Sequence, residues 1–177
     1  MIPIHKLHVY TGDGKGKTTA AMGLALRGLG HGNAVLVAQF MKKGNSGELN
    51  ALRRFENAVV MAAEPVEGFS FRMDEAQKGR ARARQSAFLE EVAMAIGRES
   101  PSLIVLDELG VALTTGMVEE AAARRLVDLA LKCGETVVTG RYMPEWLEER
   151  ADYLSRVVAQ KHPYASEGLP ARRGVEW

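Results

Sequence analysis

The chain has 177 residues, 46% hydrophobic and 25% charged, with a formal net charge of +1. These values exclude a mainly disordered chain and an overall basic footprint for nucleic acid, so any anion site must be local. No apolar run approaches the roughly 20 residues needed to span a bilayer. The opening "MIPIHKLHVY" lacks the apolar core of a signal peptide. The lone cysteine, Cys133, cannot staple a fold and reads as a packed thiol in a reducing compartment. The expectation is a cytoplasmic protein with no membrane segment, folded as one domain over residues 1–177.

In chain order, the first strand is expected at "KLHVY" (6–10). "TGDGKGKTT" follows, then an Ala-, Leu- and Met-rich helix over Lys17–Leu29, closed by Gly30 and Gly32. "AVLVAQF" (34–40) reads as a strand, Gly47–Phe55 as a short helix and "AVVMAA" (58–63) as a strand. Glu64–Arg72 fits no element. Asp74–Arg98 is a long helix with Asp74 as N-cap. "LIVLD" (103–107) is a strand, Val118–Lys132 an amphipathic helix and "TVVTG" (136–140) a strand. Pro144–Tyr153 can start a helix with its proline in the first turn. "RVVAQ" (156–160) is the last strand, and the tail from Lys161 fits no element. Continuous apolar strands alternating with helices predict an α/β fold: a mainly parallel sheet flanked by helices, with right-handed crossovers.

The glycine-rich stretch leaves a strand and enters a helix, the context a phosphate-binding P-loop needs. Gly12, Asp13, Gly14, Lys15 and Gly16 form a loop whose N–H groups can face one anion. The helix N-terminus adds its positive dipole end. Lys17 can reach a β- or γ-phosphate, Thr18 can ligate magnesium, and Thr19 and Lys15 can add phosphate contacts. The usual spacing wants a glycine at position 11, where this chain has Thr11, so the loop is shortened or re-registered. Asp107 and Glu108, ending an apolar strand, resemble a Walker B pair. Asp107 would hold the metal, and Glu108 would orient a water or a neighbouring group; the plainer alternative is a carboxylate capping the next helix. These residues point to a nucleoside triphosphate with a divalent metal and do not say which bond breaks.

The chain resembles the P-loop ATP:corrinoid adenosyltransferases, also called cob(I)yrinic acid a,c-diamide adenosyltransferases. The resemblance runs through "TGDGKGKTTAAMGLALRGLGHG" (11–32), "VAQFMKKG" (37–44), "GEL" (47–49), "EGFSF" (67–71), "LIVLDEL" (103–109), "VVTGR" (137–141), "KHPY" (161–164) and "GVEW" (174–177). It implies a P-loop NTPase fold of the RecA-like kind, and transfer of the 5′-deoxyadenosyl group of ATP to the Co(I) of a reduced corrinoid. Triphosphate would be released, in adenosylcobalamin biosynthesis or salvage. It also implies Mg²⁺ (or Mn²⁺), ATP bound in reversed sense, a homodimer and a flavoprotein reductase. Phe69 and Phe71 match an aromatic pair that helps displace the lower axial ligand of cobalt; ordinary core packing is the plainer alternative. Arg27, about 15 Å along its helix from Lys17, could meet the nucleoside, and Arg141 could stand at the rim.

Two departures stand out. Leu49 occupies a place where relatives often carry arginine, so no role is transferred to it. Few residues precede the first strand, so the N-terminal lid of longer relatives is expected to be missing or otherwise supplied. The run Lys78, Arg80, Arg82, Arg84 is expected to be a solvated face, with reductase docking as the alternative. His31 and His162 read as turn or structural residues. The rival functions are a P-loop small-molecule or nucleoside kinase transferring the γ-phosphate, and an ATP-switched binding module or RecA-like nucleic-acid protein. The near-zero net charge opposes nucleic-acid binding.

Overall fold

A computed structural model describes residues 5–64 and 74–176. Phe69 and Phe71 lie outside the described residues.

Six strands form one parallel sheet: β1 (Leu7–Thr11), β2 (Val35–Gln39), β3 (Ala58–Ala62), β4 (Leu103–Asp107), β5 (Glu135–Thr139) and β6 (Tyr153–Arg156). Their spatial order is β3-β2-β4-β5-β1-β6. The helices are α1 (Lys17–Gly30), α2 (Gly47–Leu52), α3 (Glu75–Glu99), α4 (Leu109–Thr114), α5 (Glu120–Cys133), α6 (Glu145–Arg150) and α7 (Pro163–Glu167). This is a P-loop α/β architecture. The expected 47–55 and 144–153 helices are shorter, and α4 and α7 were not anticipated.

Every residue of β2 and β4 is buried, as continuous apolar runs require when both sheet faces are covered. Odd-numbered Val35, Val37, Leu103, Val105 and Val137 pack on α1 and α2. Even-numbered Leu36, Ala38, Ile104, Leu106 and Val138 pack on α3, α4 and α5. The period-two alternation of side chains thus divides the core into two layers. The 25-residue α3 begins with a reciprocal capping box between Asp74 and Gln77. It lies against the sheet through Phe88, whose ring meets Phe40 edge-on at 5.0 Å.

The last strand departs from expectation. It runs over Tyr153–Arg156, not 156–160, and all four residues are exposed. Its place is fixed by polar ties at its start: Asp152 accepts from the Leu7 N–H and from Lys6 Nζ. The apolar Val157 has a different task, at the glycine-rich loop.

Candidate active site

The buried polar side chains among the described residues are Thr11, Gln39, Gln85, Asp107, Thr136 and Thr139. Four of the six are the final residues of β1, β2, β4 and β5. Polar groups leave water only when bonded, so their gathering at one sheet edge marks the site. It is also the carboxyl edge, where ligands bind in open α/β sheets. A cleft of ≈ 460 Å³ opens there, lined by the loop, the start of α1, the 41–48 segment, Glu108 and the tail residues Val175 and Glu176.

The loop curls against the chain that follows β6. Gly12 has φ +105°, and a Cβ there would collide with the Val157 carbonyl oxygen; glycine alone suits that conformation. The Val157 N–H donates to Thr11 O at 2.8 Å, and the Gly14 N–H donates to Val157 O at 2.9 Å. Asp13 Oδ1 accepts from the Ala159 N–H at 3.2 Å, and that backbone bond holds its carboxyl below the usual aspartate range. Asp13 and Gly14 are therefore spent on positioning the loop. The re-registered loop expected from Thr11 has this cause: it is moulded on residues 157–159.

Gly16 ends the loop and Lys17 opens α1. Lys17 Nζ folds back to Gly14 O at 2.7 Å. Burial pushes its ammonium below the ordinary lysine value; Glu108 opposes this and Arg141 reinforces it. Arg141 is near enough to act on Lys17 through charge, and its carbonyl accepts from the Thr11 hydroxyl at 3.5 Å. Thr18 and Thr19 line the cleft. Lys15 reaches outward to Glu176 Oε1 at 3.0 Å. Arg172 grips the same carboxylate with its side chain and backbone N–H. These bonds pull the Glu176 carboxyl down to about 2. The tail therefore forms a strap across the cleft.

Beneath the loop lies Asp107, fully buried. Its Oδ1 accepts from Thr18 Oγ1 at 2.9 Å and Thr139 Oγ1 at 2.6 Å. Its Oδ2 accepts from Gln39 Nε2 at 2.8 Å and Lys42 Nζ at 3.1 Å. Four donors leave no free lone pair, which is what a buried carboxylate needs to be fully satisfied. Glu108 is the N-cap residue of α4, but its side chain makes no cap bond. It adopts a left-handed backbone, φ 61°, with its N–H on Thr139 Oγ1 at 3.0 Å. The turn aims its carboxylate at Lys42, 3.2 Å away. Such strain in a non-glycine residue is typical of functional sites.

Lys17, Thr18, Thr19, Asp107, Glu108, Lys15 and Arg141 are therefore brought together. Arg27 is not. It faces a separate ≈ 230 Å³ pocket with Ser102, Leu103 and Glu135, at the amino ends of β4 and β5. Ten residues of helix carry it to the opposite edge of the sheet. Of the basic run on α3, Lys78 pairs with Glu75, Arg84 with Glu64, and Arg82 Nε bonds Gly116 O. That is a bonded surface. His162 caps α7 through Nδ1, and His31 closes α1, both structural roles.

Sequence reasoning missed Gln39, Lys42 and Thr139. Gln39 and Thr139 were visible as polar residues ending apolar strands. Lys42 depends on Met41, whose φ of 60° turns the chain inward while its N–H donates to buried Gln85.

The oxygen donors suit a divalent metal. Thr18 Oγ1, Asp107 and Glu108 form a hard set with few carboxylates, the pattern of Mg²⁺ sites completed by phosphate and water. A cation, the Lys42 ammonium, already lies among these three groups.

The family model for ATP:corrinoid adenosyltransferase BtuR/CobO/CobP matches residues 5–177. A corrinoid adenosyltransferase from Pseudomonas aeruginosa is 36% identical over 97% of this chain and 83% of its own length. One from Sinorhizobium sp is 32% identical, over 96% of this chain and 78% of its own. One from Escherichia coli is 29% identical, over 96% and 84%. A P-loop at the carboxyl edge of a parallel sheet, a buried acidic strand end and these matches lead to one conclusion: the chain belongs to the ATP:corrinoid adenosyltransferase family.

Proposed function

We propose that this chain transfers the 5′-deoxyadenosyl group of ATP to the Co(I) of a reduced corrinoid and releases triphosphate. The supporting observation is the cation-rich cradle at the carboxyl edge, in a chain matched by the family from residue 5 to 177. Cobalt supplies the electron pair of the new Co–C bond. The C5′–O bond breaks, and its pair leaves with the triphosphate. No base is required. The protein's work is to hold the leaving group and keep water away.

Gly16 and the first turn of α1 receive the triphosphate, with Lys17, Thr18 and Thr19. Lys17 is freed from Gly14 O to reach a phosphate oxygen. Lys15 exchanges Glu176 for a phosphate, and Arg141 adds charge at the rim. Asp107 is the fixed anchor: Thr139 and Gln39 hold it so that Thr18 and the metal find one geometry. Glu108 orients a water or a neighbouring group. A bound Mg²⁺ or Mn²⁺, held by Thr18 and Asp107, would neutralise charge on the departing triphosphate.

Phe69 and Phe71 are assigned to displacing the lower axial ligand of cobalt. A homodimer, a flavoprotein reductase as electron donor, a cytoplasmic location and operation as one domain over 1–177 complete the proposal. No helix among the described residues is long and apolar enough to cross a membrane.

The test is the product. The protein is incubated with ATP, Mg²⁺ and chemically reduced cob(I)alamin without oxygen. Loss of the Co(I) spectrum, a light-sensitive alkyl-cobalt and free triphosphate are expected, all slowed by about 10²–10³ in Lys17→Ala. ADP or phosphate with an untouched Co(I) spectrum would instead establish a kinase or hydrolase.

A further inference from the structure

Lys42 has no role in the proposed chemistry, yet it sits at its centre. Its Nζ donates to Thr18 Oγ1 at 3.0 Å and Asp107 Oδ2 at 3.1 Å, and pairs with Glu108 Oε1 at 3.2 Å. An ammonium has three donors, and each meets one of the three groups that suit a metal. The Asp107 side chain is completely buried, whereas Lys42 is 37% exposed and lines the cleft. An ion entering from the cleft therefore meets Lys42 before Asp107. Asp107 has no uncommitted oxygen until a donor withdraws.

We propose that Lys42 is a tethered cation that occupies the metal position in the nucleotide-free protein and must leave it for the metal to bind. The proposal rests on the reading of Thr18 and Asp107 as metal-binding groups. Two positive charges cannot share the site, because the metal would meet the ammonium at contact distance in a half-buried cleft. The lysine has a four-carbon stem and opens on the cleft that also contains Lys15, Lys17 and Thr19. A triphosphate there offers it another anion. Metal and triphosphate then bind as coupled events: each favours the lysine position that admits the other. Lys42 is a positioning residue in this scheme. It keeps the Asp107 carboxylate bonded and aimed before the ligands arrive, and it opposes metal binding without nucleotide.

The test needs no corrinoid and no turnover. Mn²⁺ alone is titrated into nucleotide-free wild type, Lys42→Met and Lys42→Arg, with bound ion read from the loss of the free-ion paramagnetic resonance signal. Lys42→Met is expected to bind Mn²⁺ on the order of tenfold tighter or more than wild type, since a neighbouring unit charge is removed. Lys42→Arg is expected to stay as weak as wild type. The gain should vanish in Lys42→Met/Asp107→Asn, which locates the ion.

Lys42→Gln is run beside Lys42→Met, with thermal unfolding as the fold check, because it keeps a donor for Asp107. Folded Lys42→Met or Lys42→Gln that binds Mn²⁺ no tighter than wild type overturns the proposal, as does a gain that survives Asp107→Asn. The underlying metal reading is checked separately by calorimetry on wild type. ATP with Mn²⁺ must bind tighter than ATP with a chelator; if it does not, the metal assignment falls.

Discussion

The floor and the rim of the cleft hold their carboxylates by opposite means. Asp107, on the floor, is wholly buried and ends a central strand, with four donors from four different elements or turns. Glu176, at the rim, hangs on an exposed tail and is held by Lys15 and Arg172 across solvent. The first arrangement is preorganised, and its bonds from Gln39 and Thr139 survive salt because they lie out of water. The second is reversible, because exposed ion pairs are individually weak and screened. The comparison separates the carboxylate that must stay still during the reaction from the one that must move to admit substrate.

The largest effect should come from the charge that joins floor and rim. Lys17→Ala is expected to lower kcat/KM by about 10²–10³, as removal of one preorganised electrostatic group does. The adenosyl-transfer assay checks this. Asp107→Ala strikes the floor itself. It leaves Thr18, Thr139, Gln39 and Lys42 without their acceptor, and a loss of about 2–3 kcal/mol is expected in denaturant unfolding. Lys42 is partly solvated, which keeps the cost below that of a fully buried pair. Activity should also fall, by less than in Lys17→Ala.

Gly12→Ala tests the loop between the two regions. Positive φ and the collision with Val157 must both be relieved, so about 1–3 kcal/mol of stability should be lost, with weaker ATP binding by calorimetry. Thr139→Val keeps the shape and removes one hydroxyl, which donates to Asp107 and accepts from the Glu108 N–H. A loss of about 1–2 kcal/mol is expected. Equal stability would show that water replaces the hydroxyl, and would blunt the contrast.

The smallest effect belongs to the rim. Glu176→Gln should leave global unfolding nearly unchanged while loosening the tail, read from the amide resonances of residues 172–176. In wild type the strap follows the sign of a depressed acid. Its carboxyl is at about 2 when tied, below the usual glutamate value of 4.5. The strap's contribution is complete above about 4.5 and is lost as pH falls through about 2. Molar salt at neutral pH should loosen it too. A tail indifferent to both would remove the electrostatic account of the rim.

The sequence carried much of this, unevenly. The helices α1 and α3 were legible to within a residue or two, since each has punctuation at both ends: a glycine-rich loop and Gly30–Gly32 for one, Asp74 and Pro101 for the other. The strand β4 was legible from its unbroken apolar run, and Asp107 with Glu108 from their place at its end. The strand β6 was not. An edge strand buries little, so "RVVAQ" outscored the real segment Tyr153–Arg156, which is held by polar ties to β1. Arg27 is a different case. Its distance along the helix is as expected, and what the sequence did not show is that it lines a separate pocket at the amino ends of β4 and β5. Lys42 was invisible because its position depends on a left-handed Met41 and on Gln85, 44 residues further on.

The backbone bonds from Val157 and to Val157 that mould the loop carry a consequence for the order of synthesis. The loop is complete by residue 16, but the backbone it leans on is not made until residues 157–159. On the ribosome the nascent chain must therefore carry an unsupported glycine-rich segment until residues 157–159 are made. Capacity to hold nucleotide should arrive abruptly, once residues 157–159 have emerged, and a chain stalled shortly before them should have its central sheet and helices but an empty hand.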